Sequence, residues 1–335
     1  MSGVITPDTP FPINADESCP TTEYRTPMTD LPKTAPNTAP QTAPDVCDYE
    51  GSTYRVDFWE GKGRGYEDAV ERIALRRLLP ARARRYVDFG VGFGRLINEA
   101  DAYDQVVLMD YSRTMLQDAQ SRLGRSPRLI YVAADLYRLP FAANSFDAGI
   151  MCRVIHHLAD APAALKNIQA CFAPGGTFVL EFANKLNLKA IVRYALRLQA
   201  WSPYSRDPVE FVKLNFDFHP AYIGEALVAA GFRSGRRLAV SWLRLGLFKR
   251  LLPLKMMAGI DALLQHLGGV APLSPSLWLE THVAGSPADL TPTESLFVCP
   301  ISRQPLQREG DVMISPSGGY RWAVRDGIYD FKEPL

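Results

Sequence analysis

The sequence predicts an α/β fold: a mostly parallel sheet with helices on both faces, a disordered tail before it and a small β-rich unit after it. Three observations support this. Between residues 86 and 182 short apolar runs alternate five times with helical patterns, as a parallel sheet with right-handed crossovers requires. Residues 1–46 are rich in Pro and Thr and hold too little apolar surface to fold. Past a polar linker, Gly285–Glu294, the chain resumes in two short apolar runs, Leu296–Leu306 and Tyr320–Phe331.

Taken in order, the tail carries a small repeat, Lys33-Thr-Ala-Pro-Asn-Thr-Ala-Pro-Gln-Thr-Ala-Pro44. Its prolines block helix and sheet, and the segment reads as a passive tail. Arg55–Trp59 and Gly61–Gly65 read as a loop. Tyr66–Leu79 has apolar residues at 66, 69/70, 73/74 and 78, a helical period. Tyr86–Arg95, Tyr-Val-Asp-Phe-Gly-Val-Gly-Phe-Gly-Arg, then reads as strand, glycine loop and helix start. Further strands are expected to end at Asp110 and Asp135, over Ala148–Cys152 and over Thr177–Phe182. Residues 183–219 form an insertion. Beyond it come a helix (Ala221–Ala230), a strand (Arg237–Leu243), an apolar helix (Leu254–Leu267) and a last strand (Leu277–Ala284).

The glycine loop is the chemical centre. Gly90, Gly92 and Gly94 leave the backbone bare and free to take positive φ, so a ligand can lie against main-chain N–H groups. The helix expected next would point its N-terminus at the same place. A dinucleotide site would want a small residue where Arg95 stands. Asp110, about 20 residues after the first glycine, can accept both hydroxyls of a ribose, a property shared with nicotinamide sites. Asp135 can accept from the amine of an adenine whose ring lies against Leu136. Ligands of such sheets sit beyond the strand C-termini, where Asp88, Asp110, Asp135 and Arg153 all fall.

The ordered set, from Asp88-Phe-Gly-Val-Gly-Phe-Gly94 through Asp110, Asp135-Leu136, Leu139-Pro-Phe141, Ser145-Phe-Asp147 and Pro174-Gly-Gly176, resembles class I S-adenosylmethionine-dependent methyltransferases of the quinone-biosynthesis type. The resemblance covers roughly residues 50–285 and implies a Rossmann-like seven-stranded sheet. It also implies Asp88, Gly90, Gly92 and Gly94 around the methionine moiety and Asp110 on the ribose. Tyr111 and Met115 would flank the adenine, with Asp135 and Leu136 on its edge and Arg153 at the same strand ends. Phe93 and Phe89 depart from the usual residues without removing a polar contact. Tyr54, Trp59 or Tyr66 would cover the sulfonium, an apt use of an aromatic face, or pack against the sheet edge.

After the fourth strand, Cys152-Arg-Val-Ile-His-His-Leu158 lacks the Asn/Asp-Pro-Pro-aromatic turn of members that methylate glutamine or adenine. His156 and His157 are the candidates for a general base, with packing of the next helix as the alternative. In the insertion, Lys185, Lys189, Arg193 and Arg197 recur every four residues as one basic helical stripe. With Trp201, Tyr204 and His219 it reads as a substrate lid (Lys189, Arg193, Trp201, Tyr204, His219), or as a solvated face. The stripe Met256, Ile260, Leu263, Leu267, entered by Lys249, Arg250 and Lys255, is expected to cover the sheet or a dimer partner. A membrane surface is its alternative.

The last unit resembles zinc-ribbon-like methyltransferase activator subunits, through its Cys-Pro opening and its Val324-Arg-Asp-Gly-Ile328 core. The positions of the four zinc cysteines hold Cys299, Ser302, Ser315 and Gly318. One thiolate cannot hold a structural zinc. No metal is therefore expected, and Phe297, Ile301, Met313, Trp322, Ile328 and Phe331 should pack the unit onto the catalytic domain. An activator in cis would make a separate one unnecessary.

The chain is 335 residues long, with 37 basic and 36 acidic residues and a net charge of +1, so no global field recruits nucleic acid. Five scattered cysteines do not form a disulfide framework, and no signal peptide or membrane span is evident; a cytoplasmic protein is expected. The expected activity is methyl transfer from S-adenosylmethionine to an O, N or C acceptor, a small molecule or lipid intermediate. The alternatives are an RNA acceptor, such as tRNA, and an inactive cofactor-binding regulator.

Overall fold

The computed structural model describes residues 44–52, 55, 59, 61–316 and 319–335. Residues 1–43 of the tail expected to be disordered over 1–46, the aromatic Tyr54, and Gly318 lie outside them.

The chain runs α1 (Gly65–Leu78), β1 (Arg85–Phe89), β2 (Gln105–Asp110), α2 (Arg113–Leu123), β3 (Leu129–Ala133), β4 (Phe146–Met151), α3 (Ala161–Ala170) and β5 (Phe172–Ala183). The insertion holds α4 (Leu188–Ala195) and the hairpin β6 (Val209–Val212), β7 (Asn215–Asp217). Then follow α5 (Pro220–Ala230), β8 (Phe232–Val240), α6 (Gly246–Leu251), α7 (Leu254–Leu264) and β9 (Ser276–Val283). Four short strands close the chain, β10 (Gln307–Glu309), β11 (Val312–Ile314), β12 (Arg321–Arg325) and β13 (Ile328–Asp330).

The expected seven-stranded sheet is present in the order β3-β2-β1-β4-β5-β9-β8. Strands β3 through β5 are parallel, whereas β9 runs antiparallel to both β5 and β8. Alternation within each strand divides the core. Val87, Phe89, Val107 and Met109 face α3 and α5, while Tyr86, Val106, Leu108 and Ile150 face α1 and α7. The helix starts are local: Ser112, Asp160 and Asn187 each accept an amide hydrogen bond at the first turn of α2, α3 and α4.

The last unit extends this sheet. β13 pairs in parallel with β3, Ile328 opposite Tyr131 and Asp330 opposite Ala133, so that eleven strands form one sheet. Phe297, Met313, Trp322 and Phe331 belong to the same apolar core as Phe141 and Phe146. Arg303 donates to the carbonyls of Leu139 (2.6 Å) and Phe141 (2.9 Å). Of the six residues expected to pack here, Ile301 alone is exposed, at 42%. Among the described residues no cluster of three or more His, Cys, Asp or Glu is placed to hold a metal.

Several expectations are corrected. The glycine loop leads to a single 3₁₀ turn, Ile97–Ala100, because three positive-φ glycines (90, 92 and 94) keep the chain out of helical geometry. The strand expected over Arg237–Leu243 begins at Phe232 and ends at Val240. α7 buries Met257, Ala258 and Asp261, so its stripe of Met256, Ile260 and Leu263 faces outward and does not cover the sheet. The four-residue basic stripe is broken. Lys185 precedes α4, is buried, and donates to the carbonyls of Ser205 and Asp207, while Arg197 follows α4 with φ 57°. Cys47 is disulfide-bonded, which the scattered cysteines do not announce. No helix among the described residues is long and apolar enough to cross a membrane.

Candidate active site

The glycine loop works differently from the expectation of free main-chain donors. The amides of Gly90 and Val91 both donate to the Met109 carbonyl, at 2.8 and 2.9 Å, and that of Gly94 donates to Val91. The Gly92 amide donates to Asp110 Oδ2 at 2.8 Å. Each glycine is required for a separate reason. A Cβ on Gly90 would sit 2.1 Å from Val154 Cγ2, and one on Gly94 2.8 Å from Leu123 Cδ1. At Gly92 a Cβ would meet nothing within 4 Å, because that position borders the cavity over the loop. The loop thus offers a ligand bare surface, with these four amides already engaged inside the protein.

Acids dominate the cavity. Asp88, Asp110 and Asp135 come from the ends of β1, β2 and β3, and all three line it. Burial pushes the Asp88 carboxyl up to about 7, with Arg95 opposing and Asp110 adding to the shift. Burial likewise pushes Asp110 up to about 6, against the amides of Ser112 and Gly92, which favour its charged form. Asp110 Oδ1 accepts the Ser112 amide at 2.9 Å, so both of its oxygens are anchored. Asp135 Oδ1 accepts the Tyr137 amide at 2.8 Å. A cation arriving here favours the ionised carboxylates, whereas a phosphate would meet the same three acids, with Arg95 and Arg153 as the cations of the lining.

Beside them stands an ion cluster invisible in the motif series. Glu71 of α1, 1% exposed, accepts from Arg95 at 2.5 Å and from Arg153 at 2.7 Å. Burial alone would raise the Glu71 carboxyl, but Arg153 and Arg95 outweigh it and hold it below the ordinary range. Arg95 lies 4.1 Å and Arg153 5.3 Å from the centroid of the Trp59 ring, which borders the same cavity. The available signal was an acid on the apolar face of α1, between Val70 and Ala74.

Of the cofactor residues expected from sequence, Asp88, Gly90, Gly92, Asp110, Tyr111, Met115, Asp135, Leu136 and Arg153 come together around this cavity, and Gly94 packs behind it. The two histidines separate. His157 borders the cavity; His156 is buried behind it, its ring 4.1 Å from that of His157. His157 Nδ1 stands 3.0 Å from the Leu214 carbonyl. Since a carbonyl only accepts, the hydrogen of the neutral ring lies on Nδ1 and the lone pair on Nε2. Nε2 faces the Tyr49 hydroxyl at 3.3 Å.

The expected lid does not close this cavity. Lys189, Arg193, Trp201, Tyr204 and His219 all lie away from its lining. His219 caps α5 by accepting the Ala221 amide, and Tyr204 is exposed against Tyr194. Among the described residues the insertion reaches the site through Leu214, whose carbonyl meets His157 and whose side chain packs with Cys47, and through Phe216 beside it. The cover is instead Val46, Cys47 and Tyr49 from the start of the described chain, positions with no motif to mark them, together with Trp59, one of the three aromatics considered for this place. Tyr66 also leaves the site: its hydroxyl donates to Asp261 at 2.5 Å and pins α1 to α7.

Residues 87–180 match the model of a methyltransferase domain family. Among curated proteins, the uncharacterized methyltransferase At1g78140, chloroplastic, of Arabidopsis thaliana is 30% identical over 135 residues, 38% of this chain and 38% of that protein. The ubiquinone/menaquinone biosynthesis C-methyltransferase UbiE of Haemophilus ducreyi is 35% identical over 103 residues, 30% of this chain and 39% of that one. The chain therefore matches about two fifths of either relative's length. Among solved structures, a chain in the complex of the Haloferax volcanii Trm112 methyltransferase activator with a methyltransferase is 18% identical, with a TM-score of 0.47 covering 68% of this chain and 95% of that one. The glycine loop and the three cavity acids all fall within residues 87–180, the stretch similar to methyltransferase domains.

Proposed function

We propose that the protein transfers a methyl group from S-adenosylmethionine to a small apolar acceptor, a ring compound or lipid intermediate of the kind quinone methyltransferases act on. The observation that carries the cofactor half is the pairing of an internally bonded glycine loop with three cavity acids. That lining suits a cation without phosphates. When bound, the cofactor supplies an activated methyl on a sulfonium. The chain's own residues would hold it: Asp110 on the ribose, Leu136 and Met115 on the adenine, and Asp135 on its edge. Gly92 would lie against the methionine moiety, with Asp88 beside it.

The acceptor half rests on apolar neighbours in the lining of the same cavity, Val46, Val154 and Leu158, with the rings of Tyr49 and Tyr137. Such a site excludes water and holds an acceptor close to the methyl donor, which is most of what an in-line displacement needs. His157 Nε2 would take the proton from a hydroxyl, amine or activated ring carbon.

Calorimetry with S-adenosylmethionine and S-adenosylhomocysteine tests the cofactor half. Binding by the wild type that Asp110→Asn weakens at least tenfold, about 1.4 kcal/mol, is expected; no binding by the wild type overturns it. Transfer of labelled methyl to a panel of demethylated quinols, phenols and tRNA tests the acceptor half. Label on the quinols or phenols is expected, and label on tRNA alone would reject the small-acceptor reading.

A further inference from the structure

We infer that the face formed by α4, α6 and α7 docks the protein on the surface of an anionic lipid bilayer. The inference stands apart from methyl transfer, since it concerns a surface the cofactor cavity does not use. Six aliphatic side chains there are unusually bare: Leu188 at 52% exposure, Leu196 at 63%, Leu247 at 63%, Leu251 at 68%, Leu263 at 75% and Val270 at 89%. α6 buries none of its residues, and α7 turns its outer side away from α1. Exposed aliphatics in this number mark an interaction surface.

Charge identifies the occupant. No Asp or Glu lies between Glu181 and Asp207, and between Glu225 and Glu280 there is only Asp261, which is buried against Tyr66. The same stretches expose Lys189, Arg197, Arg250 and Lys255, with Arg193 half-buried among them. Lys249 pairs with the buried Glu67 at 2.6 Å, and Arg244 lies 3.8 Å from the same acid, so those two contribute less. The two stretches meet. The Leu188 amide donates to the Leu273 carbonyl at 2.8 Å, and the charges of Arg193 and Arg244, after burial, help to lower the ammonium pKa of Lys189.

A face of leucines interleaved with cations, and without acids, matches an interface where aliphatic tips enter the headgroup region and cations meet lipid phosphates. A second copy of the chain fits poorly. A two-fold contact would set this face against itself, cation to cation, with no carboxylate to pair them. The position is also apt. β8 runs parallel to β5, since both are antiparallel to β9, so α4 and α6 leave the sheet at its C-terminal edge. Asp88, Asp110 and Asp135 stand at that edge, and a docked protein would present its cavity side toward the bilayer.

The test is co-sedimentation of the full chain with vesicles of phosphatidylcholine, with and without phosphatidylglycerol. Two variants accompany it, Leu247→Ser/Leu251→Ser/Leu263→Ser and Arg250→Glu/Lys255→Glu. The exposed positions keep folding intact, and unchanged thermal melting checks this. The wild type is expected to bind the anionic vesicles at least tenfold more tightly than the neutral ones, and each variant to lose at least tenfold, since each cation at the surface is worth roughly fivefold. Sedimentation velocity should find the wild type monomeric. Absence of vesicle binding, variants that bind as the wild type does, or a dimer that the leucine variant dissociates would each overturn the inference.

Discussion

The Tyr49 hydroxyl stands 3.3 Å from Nε2 of His157, and the opposite nitrogen of that ring is fixed on the Leu214 carbonyl. The imidazole is therefore held in one tautomer, its lone pair turned to the strap that covers the cavity. An acceptor bearing a proton would have to replace the tyrosine hydroxyl at this nitrogen. If His157 is the base, His157→Asn lowers kcat by about a hundredfold or more and leaves the cofactor dissociation constant within about threefold. Tyr49→Phe, which removes one hydrogen bond worth about 1 kcal/mol, shifts the pH profile of kcat and keeps most of its height. Steady-state kinetics beside calorimetry checks both. An unchanged kcat in His157→Asn assigns the ring to packing.

Gly90 and Gly92 should answer substitution in opposite ways. Alanine at 90 meets Val154 Cγ2 at 2.1 Å with φ at 77°, and denaturant melting should show a loss of about 2–3 kcal/mol. Alanine at 92 meets no atom within 4 Å, though its φ is 54°. That change should cost only about 1 kcal/mol of stability while weakening cofactor binding at least tenfold, because the methyl projects over the bare floor of the cavity.

Cofactor affinity should rise with pH. Burial holds Asp88 near 7 and Asp110 near 6, both above the ordinary carboxylate value, and binding a cation and ribose hydroxyls favours their ionised forms. Affinity should climb between about pH 5.5 and 7.5, approaching tenfold per unit for each carboxylate below its pKa, and Asp110→Asn should flatten part of the slope. The sign for the protein without ligand is opposite. Groups with raised pKa stabilise the fold fully below the unfolded value of about 4 and lose that contribution as pH rises through 6 to 7. Calorimetric titrations and thermal melts across this range check both. A pH-independent affinity would remove the two acids from the binding site.

Removing residues 294–335 should leave an insoluble or aggregating chain. β3 would lose its parallel partner β13, baring an edge of unpaired backbone. The loss should also reach the cavity, because Lys332 lies 5.0 Å from the Tyr111 ring and bonds Glu50 at 3.2 Å. Solubility of the truncated chain, and its cofactor affinity if any is recovered, checks this. A soluble truncation binding as tightly as the full chain would make the segment dispensable.

The parallel sheet and the ring of acids were legible because both are local. Asp88, Asp110 and Asp135 each end an apolar run, and runs of that kind separated by helical patterns assemble in one way. Contacts made at a distance were not. Glu71 joins Arg95 to Arg153 across 24 and 82 residues, and no motif marks either separation. The cover drawn from Val46 to Tyr49 is equally silent. The lid was misread because cations four residues apart describe a solvated helix as well as a binding face, and Lys185 and Arg197 proved to lie outside α4. The glycines were right for a reason other than the expected one: they clear space at 92 and permit close packing at 90 and 94, while their amides bond inward.

The parallel contact between β3 and β13 also sets a schedule. On the ribosome, β3 emerges about 195 residues before the strand that covers it, residues 129–133 against 328–330. At roughly 5–20 residues per second, translation leaves that flank open for on the order of ten to forty seconds. A nascent chain must be shielded over this interval, and one that stalls late carries its own mark of incompleteness, an unsealed strand that chaperones and proteases can read.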